Sequence, residues 1–245
     1  MTKRKKGSRR ARRPRVVPDA VLDTNVSLAI YSWHDLILAV EAARVRDSKA
    51  DLTDPEIQFR AQRARSAFLL TLFLHENSWI TIGPLNELLR TLRVSAPPKT
   101  RKAGIRSNFV RFFLYFIKDK LLTKWRFEAD ASADRKIKSN DVDRLCLDWA
   151  AQHKVPLISW EGHGPRGLDR KRLIPKEAAA RGIDHVSPEE LLYAKKFDEQ
   201  AAIKRFSARW DKHINRYVTE NPKAKETVAV LRHFYWRLAK NDWTP

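Results

Sequence analysis

The feature that most limits how this chain can fold is an alternation of short apolar runs with segments of helical spacing. Asp19-Ala20-Val21-Leu22-Asp23 is one such run, and Val26 to Ala43 then carries apolar residues at helical spacing. A helix is expected after Pro55, where Ile57, Ala61, Ala64, Phe68, Leu72 and Phe73 recur at steps of three and four. Trp79 to Ile82 reads as a strand broken by Gly83-Pro84, and Leu85 to Leu92 as the start of another helix. Arg106 to Ile117 reads as an apolar helix, whereas Lys118 to Ser139 shows no period that assigns it. Val142 to His153 is expected to be helical, Val155 to Ser159 a buried strand, and Glu161 to Lys176 an irregular basic loop. Ile183 to Val186 reads as a short strand and Pro188 to Ala194 as a helix capped by Ser187. Strands separated by helices imply an α/β fold: a three-layer sandwich around a mostly parallel sheet. Residues 197–245 read as a basic helical extension without a further strand.

In such a sheet ligands bind outside the carboxyl ends of the strands. Asp23 ends the first strand, Glu87 lies in the first turn of the helix after the second, and Asp141 and Asp143 open the helix before the third. Ser159 and Glu161 close that third strand. Each acid alone has a local explanation as a helix cap, a dipole partner or a loop acid. Together they fall on what should be one edge of the sheet. Carboxylates gathered there repel one another unless a cation sits among them, and Mg²⁺ or Mn²⁺ with oxygen ligands answers that need.

Charge names the kind of partner. The 245 residues carry 49 Lys+Arg against 29 Asp+Glu, a formal net charge of +20, which points to a polyanion. Nine of those cations lie in residues 1–15 without an acid, so residues 1–16 read as a disordered arm suited to phosphate contacts. The 43% hydrophobic content excludes wholesale disorder, and the longest apolar runs fall short of the roughly 18 residues of a membrane span. One cysteine, Cys146, makes no internal disulfide, and no apolar signal segment follows the basic run. A reducing, cytoplasmic setting without membrane contact is expected.

Five segments in order then carry a resemblance. They are Val21-Leu22-Asp23-Thr24-Asn25, Ile82 to Leu88, Asp143 to Ala150, Pro156 to Glu161, and Gly182 to Leu192 with its Ser187-Pro188-Glu189-Glu190. Over residues 17–196 the chain resembles the PIN-domain nucleases. The resemblance implies a Mg²⁺- or Mn²⁺-dependent phosphodiesterase acting mostly on RNA. It implies metal ligation by Asp23, Glu87 and Asp143, with Asp141 a further ligand or the alternative to Asp143, and Ser159 orienting a carboxylate or water. Glu161 stands where the family usually has Asp or Asn, one methylene longer, and would reach the metal through water. Asn25, His163, Arg166, Arg170, Lys171 and Arg172 are expected to face the nucleic acid. A second copy of the chain or an inhibitory protein is the further kind of partner left open.

Gly162, Gly164 and Gly167 also match a dinucleotide fingerprint. Pro165 in the turn and the polar residues beyond it argue against that reading. The C-terminal aromatics Trp210, Tyr217, Phe234, Tyr235, Trp236 and Trp243 read as core residues, with base stacking as the sharper alternative. Two further functions stay open: a nucleic-acid-binding protein without catalysis, and a DNA-directed nuclease.

Overall fold

The computed structural model describes residues 17–29, 55–84, 87–88, 125–128, 139–163, 173–220 and the isolated positions 222, 225, 229 and 240. The basic arm, the Arg106–Ile117 helix, most of the Val26–Ala43 and Leu85–Leu92 helices, Arg166, Arg170, Lys171, Arg172, and Phe234, Tyr235, Trp236 and Trp243 lie outside them.

Among the described residues five strands form one sheet: β1 (Ala20–Leu22), β2 (Thr81–Pro84), β3 (Trp125–Glu128), β4 (Leu157–Ile158) and β5 (His185–Val186). Their spatial order is β3-β2-β1-β4-β5 and every pairing is parallel. The helices are α1 (Pro55–Glu76), α2 (Ser139–His153), α3 (Leu173–Ala180), α4 (Pro188–Ala194) and α5 (Glu199–Glu220), with residues 24–29 also helical.

Strand order decides the layering. The chain runs from β1 outward to β2 and β3, then crosses back to β4 and on to β5. Parallel crossovers are right-handed, so a connection running one way across the sheet covers one face and a connection running the other way covers the opposite face. α2 and α3, in connections that run the same way, share a face, and α1 belongs to the other. Packing agrees. Val142, Cys146, Leu147 and Ala150 of α2 join Ile174 and Ala178 of α3 over Val21, Ile82 and Leu157 in one core cluster. Separately, α1 packs against α4 and α5, with Phe68 edge-on to Phe206 and Phe73 edge-on to Phe197. The arrangement is compatible with a three-layer sandwich. Among the described residues no helix is long and apolar enough to cross a membrane.

Two local expectations need correction, and one unassigned stretch gains a strand. Gly83-Pro84 does not break β2, because pairing to β1 stops at Ile82 and the missing Pro84 N–H costs no bond on that side. β3, in the unassigned stretch, shows strand alternation in Trp125-Arg126-Phe127-Glu128. α3 begins inside the segment expected to be irregular; Pro175 sits in its first turn, where a missing N–H is tolerated.

Candidate active site at the strand switch

The sheet order reverses between β1 and β4, and at such a switch the connections leave the two carboxyl ends in opposite directions, opening a crevice. Asp23 follows β1 and Ser159 follows β4. The Asp23 N–H donates to the Ile158 carbonyl at 3.0 Å, and the Asp23 carbonyl accepts from the Val26 and Ser27 amides at 3.1 and 3.0 Å. Asp23 therefore caps the helical residues 24–29 while ending the strand, which fixes its backbone on both sides.

Its side chain is held as firmly. The Thr24 N–H donates to Asp23 Oδ1 at 2.6 Å and the Ser159 hydroxyl to Oδ2 at 3.2 Å. Ser159, wholly buried, also accepts from Asn25 Nδ2 at 3.4 Å and from the Glu161 N–H at 3.0 Å. One donor and two acceptor positions exhaust a hydroxyl, so Ser159 cannot rotate without losing a bond. The Thr24 hydroxyl donates to Glu87 Oε2, linking the second acid to the first.

Electrostatics marks the cluster out. Asp23 is only 4% exposed and its pKa is pushed up to about 7. Burial is the largest cause, followed by the charge of Asp143; Glu87 adds to the rise, while the bonds from Thr24 and Ser159 oppose it. Among the described residues, none of the groups that shift Asp23 is a cation. Asp143 is buried beside Asp23, whereas Asp141 is exposed in the first turn of α2. Residues two apart on a helix point to different sides, so only one could enter the crevice, and it is Asp143.

Glu161 has a structural partner besides its expected role. It is buried, but its Oε1 accepts the Ile174 N–H at 3.0 Å, satisfying an otherwise orphaned amide in the first turn of α3. A carboxylate already at that terminus also disfavours a pyrophosphate there. Gly162, at φ +82°, packs so closely on α3 that a Cβ would lie 2.6 Å from Pro175 Cγ. His163 Nδ1 stands 3.5 Å from Glu190 Oε2 and its ring 4.7 Å from that of His185, on the β5 side of the crevice. Thr24, which ties Glu87 to the centre, was not among the expected site residues. Its signals are a polar side chain where an apolar strand could have continued and its place in the Asp23-Thr24-Asn25 segment.

The donors present suit a hard divalent ion: carboxylates, a hydroxyl, and the Asn25 Oδ1 oxygen, which is buried without a hydrogen-bond partner. Among the described residues no three His, Cys, Asp or Glu side chains form a ready ligand cluster. That is compatible with Mg²⁺, which is commonly held by one or two carboxylates with waters and substrate phosphate completing its octahedron. No protein-family model, curated protein or solved structure matches the chain.

Proposed function

We propose that the chain is a divalent-metal-dependent endoribonuclease whose centre is Asp23 with Asp143 and Glu87, on a fold of the PIN-domain kind. The observation that carries this reading is Asp23 itself: a buried carboxyl at the strand switch, raised to about 7 by burial and by the neighbouring acids Asp143 and Glu87. Asp23 and Asp143 would hold a Mg²⁺ or Mn²⁺ ion, with Glu87 reaching the same place through Thr24. Such an ion supplies a hydroxide from bound water and neutralises charge on the phosphoryl oxygens. Ser159 and the Thr24 amide hold both oxygens of Asp23 in one orientation, so no reorganisation is needed when substrate arrives. The net charge of +20 favours a polyanion around this acidic centre, because cationic surface grips backbone phosphates.

The reading of a nucleic-acid binder without catalysis draws on one observation, the bond that ties one oxygen of Glu161 to α3 and so divides that acid between the helix and the centre. Incubating the full-length protein with labelled RNA and DNA, in Mn²⁺ and in chelator, separates the readings. Mn²⁺-dependent cleavage of RNA supports the ribonuclease. Binding without cleavage supports the alternative, and cleavage confined to DNA changes the substrate.

A further inference from the structure

Past the end of β4 the chain passes from Ser159, bonded to Asp23, to Trp160, which lines a pocket of about 600 Å³ between α1 and the first turn of α4. One wall is layered. The guanidinium carbon of Arg63 lies 4.1 Å from the centre of the Phe59 ring and 5.3 Å from that of Trp160. The indole is locked in place, since its Nε1–H donates to both carboxylate oxygens of Glu189 at 3.2 and 2.9 Å. Gln62, exposed on α1, and Glu190 complete the opening.

We infer that this pocket takes one nucleobase of the substrate strand, beside the phosphate held at Asp23. The inference rests on the nucleic-acid reading of the adjoining centre. Its size is that of a small-ligand site, and a wall of ring, guanidinium and ring suits a flat aromatic ligand. A bare phosphate fits poorly, because the carboxylates of Glu189 and Glu190 line the same pocket as Arg63. Those carboxylates retain acceptor positions for N–H groups beyond the bonds they already receive. Bases with an exocyclic amine, adenine, guanine and cytosine, should therefore bind better than uracil. Trp160 directly follows Ser159, so the pocket and the acidic centre share one turn of chain. A base seated in the pocket would select which phosphodiester lies at Asp23.

The test is calorimetric titration of the full-length protein, in chelator, with AMP, GMP, CMP, UMP and ribose 5-phosphate. At least one amino-bearing nucleotide should bind about fivefold or more tightly than ribose 5-phosphate, UMP being the weakest nucleotide, since stacking on an aromatic wall is worth at least that factor. Phe59→Ala and Gln62→Ala should each reduce the preference, and Gln62, exposed on a long helix, can become Ala without loss of the fold. Ribose 5-phosphate binding as tightly as every nucleotide, no nucleotide binding, UMP binding tightest, or both variants keeping wild-type preference would each overturn the proposal. Chelator removes catalysis from the readout. Base binding in a protein that never cleaves RNA upholds the pocket and removes the nuclease reading, and RNA cleavage by a protein that binds no base does the reverse.

Discussion

Asp23 carries an electrostatic cost that the fold tolerates, and the sign of that cost is testable. Its pKa in the folded protein is raised from 3.8 to about 7, so between those values the folded chain keeps a proton that the unfolded chain has released. Stability from this group is present below pH about 4 and is lost as pH rises towards 7, a loss of order a few kcal/mol. Asp23→Asn should therefore raise the melting temperature at pH 8 and change it little at pH 4. Scanning calorimetry at both pH values checks this; equal shifts would mean that the Asp23 charge is not strained. Mn²⁺ at pH 8 should stabilise the wild type and leave Asp23→Asn nearly unmoved, because the ion binds only where that carboxylate is present. His185 acts in the opposite sense. Burial, and then His163, lower its pKa from 6.5 to about 4, so its contribution is intact above pH 6.5 and is lost as pH falls towards 4. The two slopes oppose one another between pH 4 and 6.5, and only Asp23 acts from there to 7.

The elements that carry the site stand at helix starts, where a few bonds decide orientation. Ser187 caps α4 with a complete capping box: its Oγ accepts from the Glu190 N–H at 3.1 Å, and Glu190 Oε2 accepts from the Ser187 N–H at 2.8 Å. Ser187→Ala should cost about 1 kcal/mol in urea unfolding. Glu161 at α3 offers a sharper comparison. An amide oxygen accepts the Ile174 N–H as a carboxylate does, so Glu161→Gln should keep stability within about 0.5 kcal/mol of the wild type, whereas Glu161→Ala should lose about 1 to 3 kcal/mol by orphaning a buried amide. Urea denaturation of both variants tests it, and a Gln variant as unstable as the Ala variant would show that charge, not hydrogen bonding, holds α3. These starts were unequally legible in the sequence. Ser187-Pro188-Glu189-Glu190 announces a cap, and β1 and β4 are apolar runs ending in polar residues. The start of α3 fell inside the stretch read as an irregular loop, because only the partner of the Ile174 amide, thirteen residues earlier, shows that a helix starts there. Two-residue strands such as β4 and β5 are set by the ladder and not by period, so their lengths could not be read locally.

Across the whole molecule, the proposed function would have the net charge of +20 supply attraction and the acidic cluster supply chemistry. Asp23, Asp143 and Ser159 could be nominated from sequence because strand ends and helix starts predict one sheet edge. The choice of Asp143 over Asp141 and the bond of Glu161 to α3 needed side-chain directions, which period alone does not supply. The Phe59, Arg63 and Trp160 wall joins residues far apart in the chain, and no local pattern announces it. The nine cations of residues 1–15 should add attraction shared by ground and transition states. Deleting them should weaken RNA binding and flatten its salt dependence by about 0.7 in log affinity against log salt for each phosphate no longer neutralised, with single-turnover cleavage little changed. An unchanged slope would exclude the arm as a phosphate-binding element. The central claim is that Asp23 anchors a metal-dependent cleavage centre. Its most direct test is single-turnover cleavage of labelled RNA by the wild type and Asp23→Asn in Mn²⁺, with binding measured on the same RNA. The account predicts chelator-sensitive cleavage by the wild type, slower by a factor of about 100 or more in the variant, with binding retained or tighter. Equal metal-dependent rates in the two proteins would contradict it.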